Sequence, residues 1–345
     1  MYVKAPAKIN LYLDVLGKRE DGYHDLDMVM LPLELHDTID FEKVPNARYT
    51  HIVSDTIERQ IINHNSIYRT HELLVKEYNF DQNYIIRVHK EIPIYAGMGG
   101  GSANAAAALR HFLKHSKLKL SEEEQIKFCL KIGADVPFCL KNVPAHVEGI
   151  GEKITPIKVK KQYSVLVIKP KQGLSTKEVF TACDKYELKH GNVQNVITAL
   201  ETGDDQLLAK SLFNSLEDVS IDLCPEVGKI KEMLKKDGFK CVLMTGSGSC
   251  VYALTTNATL ALTKFLKYEH KGYEVYLTKT VKCKKWFLLS ASAKMYISTM
   301  NWLAIFCQAE IFSQTDTSLA LCLIKAISIF KANMSVILMR IMILS

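Results

Sequence analysis

The sequence predicts an α+β fold of two domains. The chain has 345 residues, which suits two domains at roughly 150 residues each. Apolar residues make up 48% of it, enough for a packed core. The strands and helices predicted below mix without a strict βαβ repeat, which favours α+β over a parallel α/β sheet. We predict a first domain over 1–158 and a second over 159–283, with residues 284–345 outside both.

Composition indicates a globular protein of a reducing compartment. Lys and Arg total 44 against 37 Asp and Glu, a net charge of +7 that is mild and scattered. This balance suits a small anionic substrate as well as a nucleic acid, so it discriminates little. Nine cysteines, without a Cys-x-x-Cys pair, argue against a disulfide framework or a clustered zinc site. The opening residues have no apolar stretch typical of a signal peptide, so we expect a cytoplasmic protein.

The first domain is predicted to open with a β-hairpin. Apolar residues recur at a period of two, at Ile9, Leu11, Leu13 and Val15. This alternation places Lys8 and Asn10 together on the face opposite the core. Asp21-Gly22 predicts a turn, and the apolar run 28–35 predicts the second strand. A helix over 66–78 and a strand over 84–88 should follow.

A glycine-rich loop then opens a helix and is the most informative feature. Gly97, Gly99, Gly100 and Gly101 precede Ser102, and the alanine-rich run 105–114 favours a helix. Bare backbone amides at a helix N-terminus can bind phosphate. The loop is not a Walker A motif, because no Gly-Lys-Ser/Thr follows, and it lacks the third glycine of a dinucleotide fingerprint. A flexible turn with a good cap is the alternative interpretation.

The remaining elements are predicted from caps, glycines and prolines. Ser121 with Glu124 forms a capping box for a helix over 122–132, with Gly133 as its C-cap. A turn over 133–137 should follow, since the residue before a proline avoids helix. A strand over 163–168 and a capping box at Ser175 and Glu178 come next, followed by a helix from Pro225 to Lys236. The last predicted elements are two strands over 239–244 and 250–254, joined by the loop 245–249, a helix over 258–268 and a strand over 273–278.

Taken singly, the candidate residues have ordinary structural explanations. An exposed Lys8 could serve solubility, and Asp135 could form a capping hydrogen bond in its turn. Phe180, on the helix after Ser175, is as consistent with a core contact as with exposure. Tyr23 and His24 lie beside the hairpin turn, which favours exposure.

Taken together and in order, the motifs resemble the GHMP kinases. Pro6–Leu11, Pro93–Asn104 and Leu243–Tyr252 are similar to the three motifs of that family. Asp21–His24 and Gly133–Phe138 resemble those members that phosphorylate a cytidine diphosphate-linked alcohol in isoprenoid precursor synthesis. The likeness covers about residues 1–280. It departs at Met98, usually leucine, and at Ala103, often a second serine whose hydroxyl would be lost.

The resemblance implies a fold, an activity and a set of site residues. The fold would be an N-terminal nucleotide-binding domain and a ferredoxin-like C-terminal substrate domain. The activity would be transfer of the γ-phosphoryl group of ATP, with Mg²⁺, to a substrate hydroxyl. Asp135 would accept the proton of that hydroxyl, and Lys8 would stabilise the negative charge that develops on its oxygen and on the transferring group. The implied ATP contacts are Pro93, Ala96, Gly97, Met98, Gly99, Gly100, Gly101, Ser102, Ala103 and Asn65. The implied contacts to the cytidyl substrate are Asn10, Tyr23, His24 and Phe180, and no protein side chain is assigned as a metal ligand.

Two other functions stay open from the sequence. One is a GHMP kinase of the mevalonate or homoserine type, whose acceptor lacks a cytosine. The other is a non-catalytic nucleotide-binding protein tethered by its C-terminal segment. The presence of both Lys8 and Asp135 favours a kinase, since a pure binder needs no proton acceptor. We expect no nucleic-acid partner, and the sequence predicts no oligomeric state.

The segment 286–345 does not fit a soluble enzyme surface. It has no Gly or Pro, and its longest uncharged stretch, 295–309, is shorter than the ~20 residues that span a bilayer. A helical hairpin, an interfacial membrane anchor and a translated frameshift are the alternatives. We rank a sequence artefact ahead of a membrane anchor, and both ahead of a third domain.

Overall fold

The structure, a computed structural model, describes residues 2–45, 49–54 and 65–281. The expectations for 286–345 therefore lie outside the described residues. Within these ranges, no helix combines the length and the apolar character that crossing a membrane requires.

Eleven strands of the described chain form two sheets. They are β1 (Tyr2–Lys18), β2 (His24–Lys43), β3 (His51–Ser54), β4 (Tyr84–His89), β5 (Ala145–Gly149), β6 (Lys153–Pro156), β7 (Ser164–Lys169), β8 (Phe213–Asn214), β9 (Cys241–Met244), β10 (Val251–Thr255) and β11 (Glu274–Lys279). The first sheet has the order β3-β4-β2-β1-β8, and β5 pairs with both β2 and β6. The predicted hairpin is confirmed as β1–β2, and it is longer than the apolar runs that indicated it.

The second sheet has the order β11-β7-β10-β9, with every neighbouring pair antiparallel. Counted along the chain, this is fourth-first-third-second, the order expected of a ferredoxin-like domain. The two-domain α+β fold is therefore confirmed. One short strand, β8, runs parallel to β1 in the first sheet although it lies in the predicted second domain. The boundary at residues 158 and 159 stays a prediction.

Ten helices of the described residues flank the sheets. They are α1 (Ser66–Tyr78), α2 (Gly100–His115), α3 (Glu122–Leu130), α4 (Val136–Lys141), α5 (Thr176–Cys183), α6 (Val193–Thr202), α7 (Asp205–Ser211), α8 (Glu217–Leu223), α9 (Glu226–Lys236) and α10 (Ala258–His270). The predicted turn over 133–137 is confirmed in its first part and wrong in its second. Ala134 and Asp135 form a turn in which the Val136 amide donates to the Gly133 carbonyl at 3.1 Å, whereas Val136 and Pro137 already belong to α4. Pro137 fits in the first helical turn, where no amide donor is needed.

The caps agree with the sequence in part. The capping box at Ser121 is confirmed: its Oγ accepts from the Glu124 amide at 3.2 Å, and its own amide donates to Glu124 Oε2 at 2.7 Å. The predicted box at Ser175 is wrong, since that side chain makes no capping hydrogen bond. The C-cap of α3 is Lys131 rather than Gly133, and Pro225 precedes α9 as its N-cap.

The middle of the first strand, residues 7–15, is buried on both faces, and this corrects the expectation of an exposed polar face. Lys8 is 3% exposed and Asn10 is fully buried. Register shifts at Pro6/Lys8, Asn10/Tyr12 and Val15/Gly17 interrupt the simple alternation of β1 against β2. Polar side chains enclosed in this way need hydrogen-bond partners. The partners of Lys8 and Asn10 define the candidate site.

One buried histidine should make stability depend on pH. His111 on α2 is 7% exposed and stacks on Phe41 with ring centroids 4.0 Å apart. Its Nδ1 has no hydrogen-bond partner among the described residues. Burial, with smaller contributions from His115 and Lys114, lowers the pKa of His111 to about 4.

Because this pKa lies below the ordinary value of 6.5, the unfolded chain binds the proton first as pH falls. The contribution of neutral His111 to the free energy of unfolding is complete above about pH 6.5. It decreases as the pH falls towards 4, by up to about 3 kcal/mol. Urea unfolding across this range should show the loss in the wild type and a shallower dependence in His111→Phe, which keeps the ring contact. Parallel pH profiles for the two proteins would contradict the assignment.

Candidate active site

Lys8 lies at the centre of the candidate site. Its Nζ donates to Asn10 Oδ1 at 2.7 Å and lies 3.2 Å from Asp135 Oδ2. The lysine side chain is 4% exposed and that of Asp135 is 31% exposed. The cation is therefore enclosed, and the carboxylate faces outward where a second molecule can reach it.

The Asp135 carboxylate is available to a substrate because it does not cap its helix. It occupies the N-cap position of α4, yet its side chain makes no capping hydrogen bond. At the other end of α4, Arg110 Nη1 donates to the carbonyls of Cys139 and Leu140 at 2.8 and 3.0 Å. This contact fastens α4 to α2 and so fixes the position of Asp135 beside Lys8.

The glycine loop approaches Lys8 and the loop 245–249 so closely that side chains would not fit. Gly97 has φ +71°, and a Cβ there would lie 2.0 Å from the Thr245 carbonyl oxygen. Gly99, the N-cap of α2 with φ +70°, would place a Cβ 3.0 Å from Lys8 Cγ. The amides that follow, at the start of α2, are the unpaired donors of a helix N-terminus. Gly101, in the first turn of α2, is exposed, so these donors can meet an anion.

The second glycine-rich segment, 245–249, closes the other side of the site. Thr245 Oγ1 accepts from the Asn10 amide at 3.2 Å and donates to the Gly97 carbonyl at 3.3 Å. A Cβ on Gly246 would lie 3.3 Å from Lys8 Nζ. The three motifs that the sequence analysis singled out therefore converge on one lysine.

The roles of two supporting residues, Asn214 and Thr245, could not be predicted from the sequence. Asn214 Nδ2 donates to the carbonyls of Met244 and Gly246 at 3.0 and 2.8 Å and so holds the loop 245–249. No motif or spacing marks Asn214, because the two carbonyls that it holds are distant in sequence. Thr245 stood inside a recognised motif, but its bridging role depends on the fold.

Some predicted ATP contacts can act only through the backbone. Pro93, Ala96, Met98 and Ala103 have buried side chains. Asn65 is also buried, and its Oδ1 accepts from the Ile67 amide at 2.8 Å as the N-cap of α1. Gly97, Gly99, Gly100, Gly101 and Ser102 keep accessible surface. The ATP roles of all these residues stay predictions.

The predicted base-binding residues lie at the tip of the β1–β2 hairpin and on α5. Tyr23 is 53% exposed at the turn. The rings of His24 and Phe180 have centroids 5.1 Å apart at 38°. Phe180 also packs partly against the core, so both interpretations of its position hold in part. His24 Nε2 lies 2.8 Å from Asp184 Oδ1.

Comparison with known proteins agrees with this arrangement. The family descriptions "GHMP kinases N terminal domain" and "GHMP kinases C terminal" match residues 65–142 and 196–270. A protein of Clostridium perfringens (strain 13 / Type A), named 4-diphosphocytidyl-2-C-methyl-D-erythritol kinase, is 40% identical over 289 residues, covering 81% of this chain and 98% of that protein. A protein of the same name from Clostridium acetobutylicum is 36% identical over 282 residues, covering 81% and 100%.

Solved structures have the same fold. A crystal structure of 4-(cytidine 5′-diphospho)-2C-methyl-D-erythritol kinase superimposes with a TM-score of 0.68 at 27% identity, covering 82% of this chain and all of that one. Homoserine kinase from Cytophaga hutchinsonii gives a TM-score of 0.62 at 16% identity, covering 82% and 94%, a likeness of fold alone. The resemblance inferred from the motifs is confirmed, and the chain belongs to the GHMP kinase family of small-molecule kinases.

Proposed function

We propose that the protein transfers the γ-phosphoryl group of ATP to the 2-hydroxyl of 4-diphosphocytidyl-2-C-methyl-D-erythritol, a step of non-mevalonate isoprenoid precursor synthesis. The observation that carries the proposal is the contact of Lys8 Nζ with Asp135 at 3.2 Å beside a cradle of bare glycine amides. The name shared by the clostridial relatives supports the choice of acceptor.

The arrangement can supply the charges that phosphoryl transfer needs. The substrate hydroxyl oxygen forms a bond to the γ-phosphorus while the bond to the β–γ bridging oxygen breaks and ADP leaves. Asp135, the partly exposed carboxylate, accepts the hydroxyl proton. Lys8 neutralises negative charge on the attacking oxygen and the transferring group, and the amides after Gly99 hold the phosphates.

Mg²⁺ fits this site as a companion of ATP. A glycine cradle binds phosphate oxygens, and Mg²⁺ takes most of its ligands from phosphates and water. The partly exposed Ser102 at the start of α2 would offer one hydroxyl. The ion would supply further charge neutralisation on the phosphates.

The cytoplasm is the proposed compartment. The six cysteines within the described residues are free and buried. Free thiols persist where the environment is reducing, which supports the placement.

A coupled assay of ADP release with a panel of acceptors tests the function. We expect release with the cytidyl substrate and none above background with mevalonate or homoserine. Release with either of the latter would favour the other kinase type. ATP binding by folded protein without acceptor-dependent release would favour a non-catalytic nucleotide-binding protein.

Tyr23→Ala should raise KM for the cytidyl substrate and leave KM for ATP nearly unchanged. An exposed aromatic ring that stacks on a base contributes ~1–3 kcal/mol, so KM for the cytidyl substrate should rise by about tenfold or more. The KM for ATP should stay within about twofold, because Tyr23 lies on the hairpin turn and not in the glycine loop. Tyr2→Ala, at the opposite end of β1 and 77% exposed, is the matched control. An equal loss for both substrates would refute the stacking role.

A further inference from the structure

A single carboxylate fastens the tip of the β1–β2 hairpin to α5. Asp184 Oδ1 lies 2.8 Å from His24 Nε2, and its Oδ2 accepts from Lys18 Nζ. Lys18 and His24 face each other as the last pair of the β1–β2 ladder before the turn. Asp184 therefore contacts both strands at the point where the turn carrying Tyr23 begins.

The position of Asp184 on its helix argues against a role in helix stability. It is the C-cap of α5, where the helix dipole disfavours a negative charge. The hydrogen bonds from Lys18 and His24 lower the pKa of Asp184, so the carboxylate stays ionised against that field. It also follows Phe180 by four residues, which places the two on the same side of the helix. One turn of α5 therefore provides both the aromatic ring beside His24, from Phe180, and its hydrogen-bond partner, Asp184.

A metal site is the rival interpretation of the same cluster. His24, Cys183 and Asp184 each place one potential ligand atom within 4.8 Å of the others. However, burial, with Asp184 nearby, raises the pKa of the Cys183 thiol to about 11. The Lys18 ammonium already neutralises the carboxylate. The ion pair with Lys18 and the contact with His24 account for the Asp184 carboxylate, so we interpret the cluster as a hydrogen-bond network and not as a metal site.

The contact with Asp184 bears on which ring nitrogen of His24 donates, because an ionised carboxylate can only accept a hydrogen bond. A neutral imidazole that donates Nε2–H to a carboxylate keeps Nδ1 as an acceptor. Among the described residues, Nδ1 makes no hydrogen bond that would compete for this role. An acceptor suits the exocyclic amine of cytosine, whereas uracil presents a carbonyl oxygen at the same position.

We propose that Asp184 is a positioning residue that holds His24 in the Nε2–H tautomer, so that Nδ1 accepts from the cytosine amine and the site discriminates against uracil. The proposal rests on the proposed function, because it takes the cytidyl substrate as the ligand. It extends that function to a residue outside the family motifs.

Asp184→Asn is the main test, since it keeps the shape of the side chain but can donate to His24 as well as accept from it. We expect KM for the cytidyl substrate to rise about tenfold, with kcat and KM for ATP within about threefold. The preference in kcat/KM for the cytidyl substrate over its uridyl analogue should narrow. Nitrogen NMR of His24 should show one tautomer in the wild type and a mixture in the variant.

Two controls distinguish the positioning of His24 by Asp184 from a role of Asp184 in only holding the hairpin tip to α5. Lys18→Met removes the other partner of Asp184 but keeps the contact with His24, so the base preference should survive. Asp218→Asn breaks an exposed pair with Lys189 in the same half of the chain and should change nothing. If Lys18→Met narrowed the base preference as much as Asp184→Asn, or if Asp184→Asn left KM and preference as in the wild type, the proposal would be overturned.

The proposal can fail separately from the function. If wild-type protein releases no ADP with the cytidyl substrate, the proposed function fails. Calorimetry with cytidine diphosphate and uridine diphosphate then makes the same comparison of wild type and Asp184→Asn without turnover. A variant that prefers cytidine diphosphate as strongly as the wild type contradicts the role of Asp184 in either case.

Discussion

Asp135→Asn should lower kcat by roughly 10²–10⁴-fold, the range typical of a general base, while the fold and ATP binding stay intact. The expectation follows from geometry, because Asp135 faces outward beside Lys8 and does not cap α4. Asparagine keeps the shape of the side chain but cannot accept the proton. Steady-state kinetics with both substrates and thermal unfolding measure the two parts of the expectation.

A capping aspartate elsewhere provides the matched control. Asp204 Oδ1 accepts from the amides of Gln206 and Leu207 at the start of α7. Asp204→Ala should cost about 1 kcal/mol of stability and leave kcat unchanged. If Asp135→Asn instead behaved like Asp204→Ala, with near-normal turnover and a lower melting temperature, Asp135 would be structural and the catalytic assignment would fail.

Gly97→Ala should damage both the fold and ATP use. The new methyl group would lie 2.0 Å from the Thr245 carbonyl oxygen, at a backbone φ of +71° that side chains disfavour. Relief of this overlap must move the glycine loop away from the loop 245–249. We expect about 3 kcal/mol less stability and roughly 10²-fold lower kcat/KM for ATP.

The control for Gly97→Ala isolates the backbone strain from the overlap. Gly238 has φ +97°, and a Cβ there would meet nothing within 4 Å. Gly238→Ala should cost only about 1 kcal/mol and leave the kinetics for ATP unchanged. Equal effects of the two substitutions on stability and kinetics would show that the close approach of the loops is unimportant.

The sequence predicted best those features that are encoded locally. The hairpin turn at Asp21-Gly22, the capping box at Ser121 and the glycine loop ahead of α2 each depend on neighbours within a few residues. The predicted convergence of Lys8 and Asp135 came from family resemblance, and the 3.2 Å contact agrees with it. Their catalytic roles stay predictions until turnover is measured.

The features that were missed depend on contacts between distant segments. The burial of Lys8 results from loops that come from residues 97–102 and 245–249, so strand periodicity alone could not reveal it. The same holds for the contacts of Asn214 with the loop 245–249 and of Asp184 with His24, which join residues 30 or more positions apart. The short strands β5 and β6 were not predicted because they lack the continuous apolar run that marks the equally short β9 and β10.

The short strand β8 joins the two predicted domains, because it comes from the second and pairs with β1 of the first. Ser215, just after β8, donates its amide to the Leu13 carbonyl at 2.9 Å, and its Oγ accepts from the Val15 amide at 3.0 Å. A fragment ending near residue 158 would leave this border of β1 bare, and a bare strand border invites pairing with other chains. The N-terminal half therefore depends on residues 213–215 to cover β1, and we expect it to be prone to aggregation until they have been synthesised.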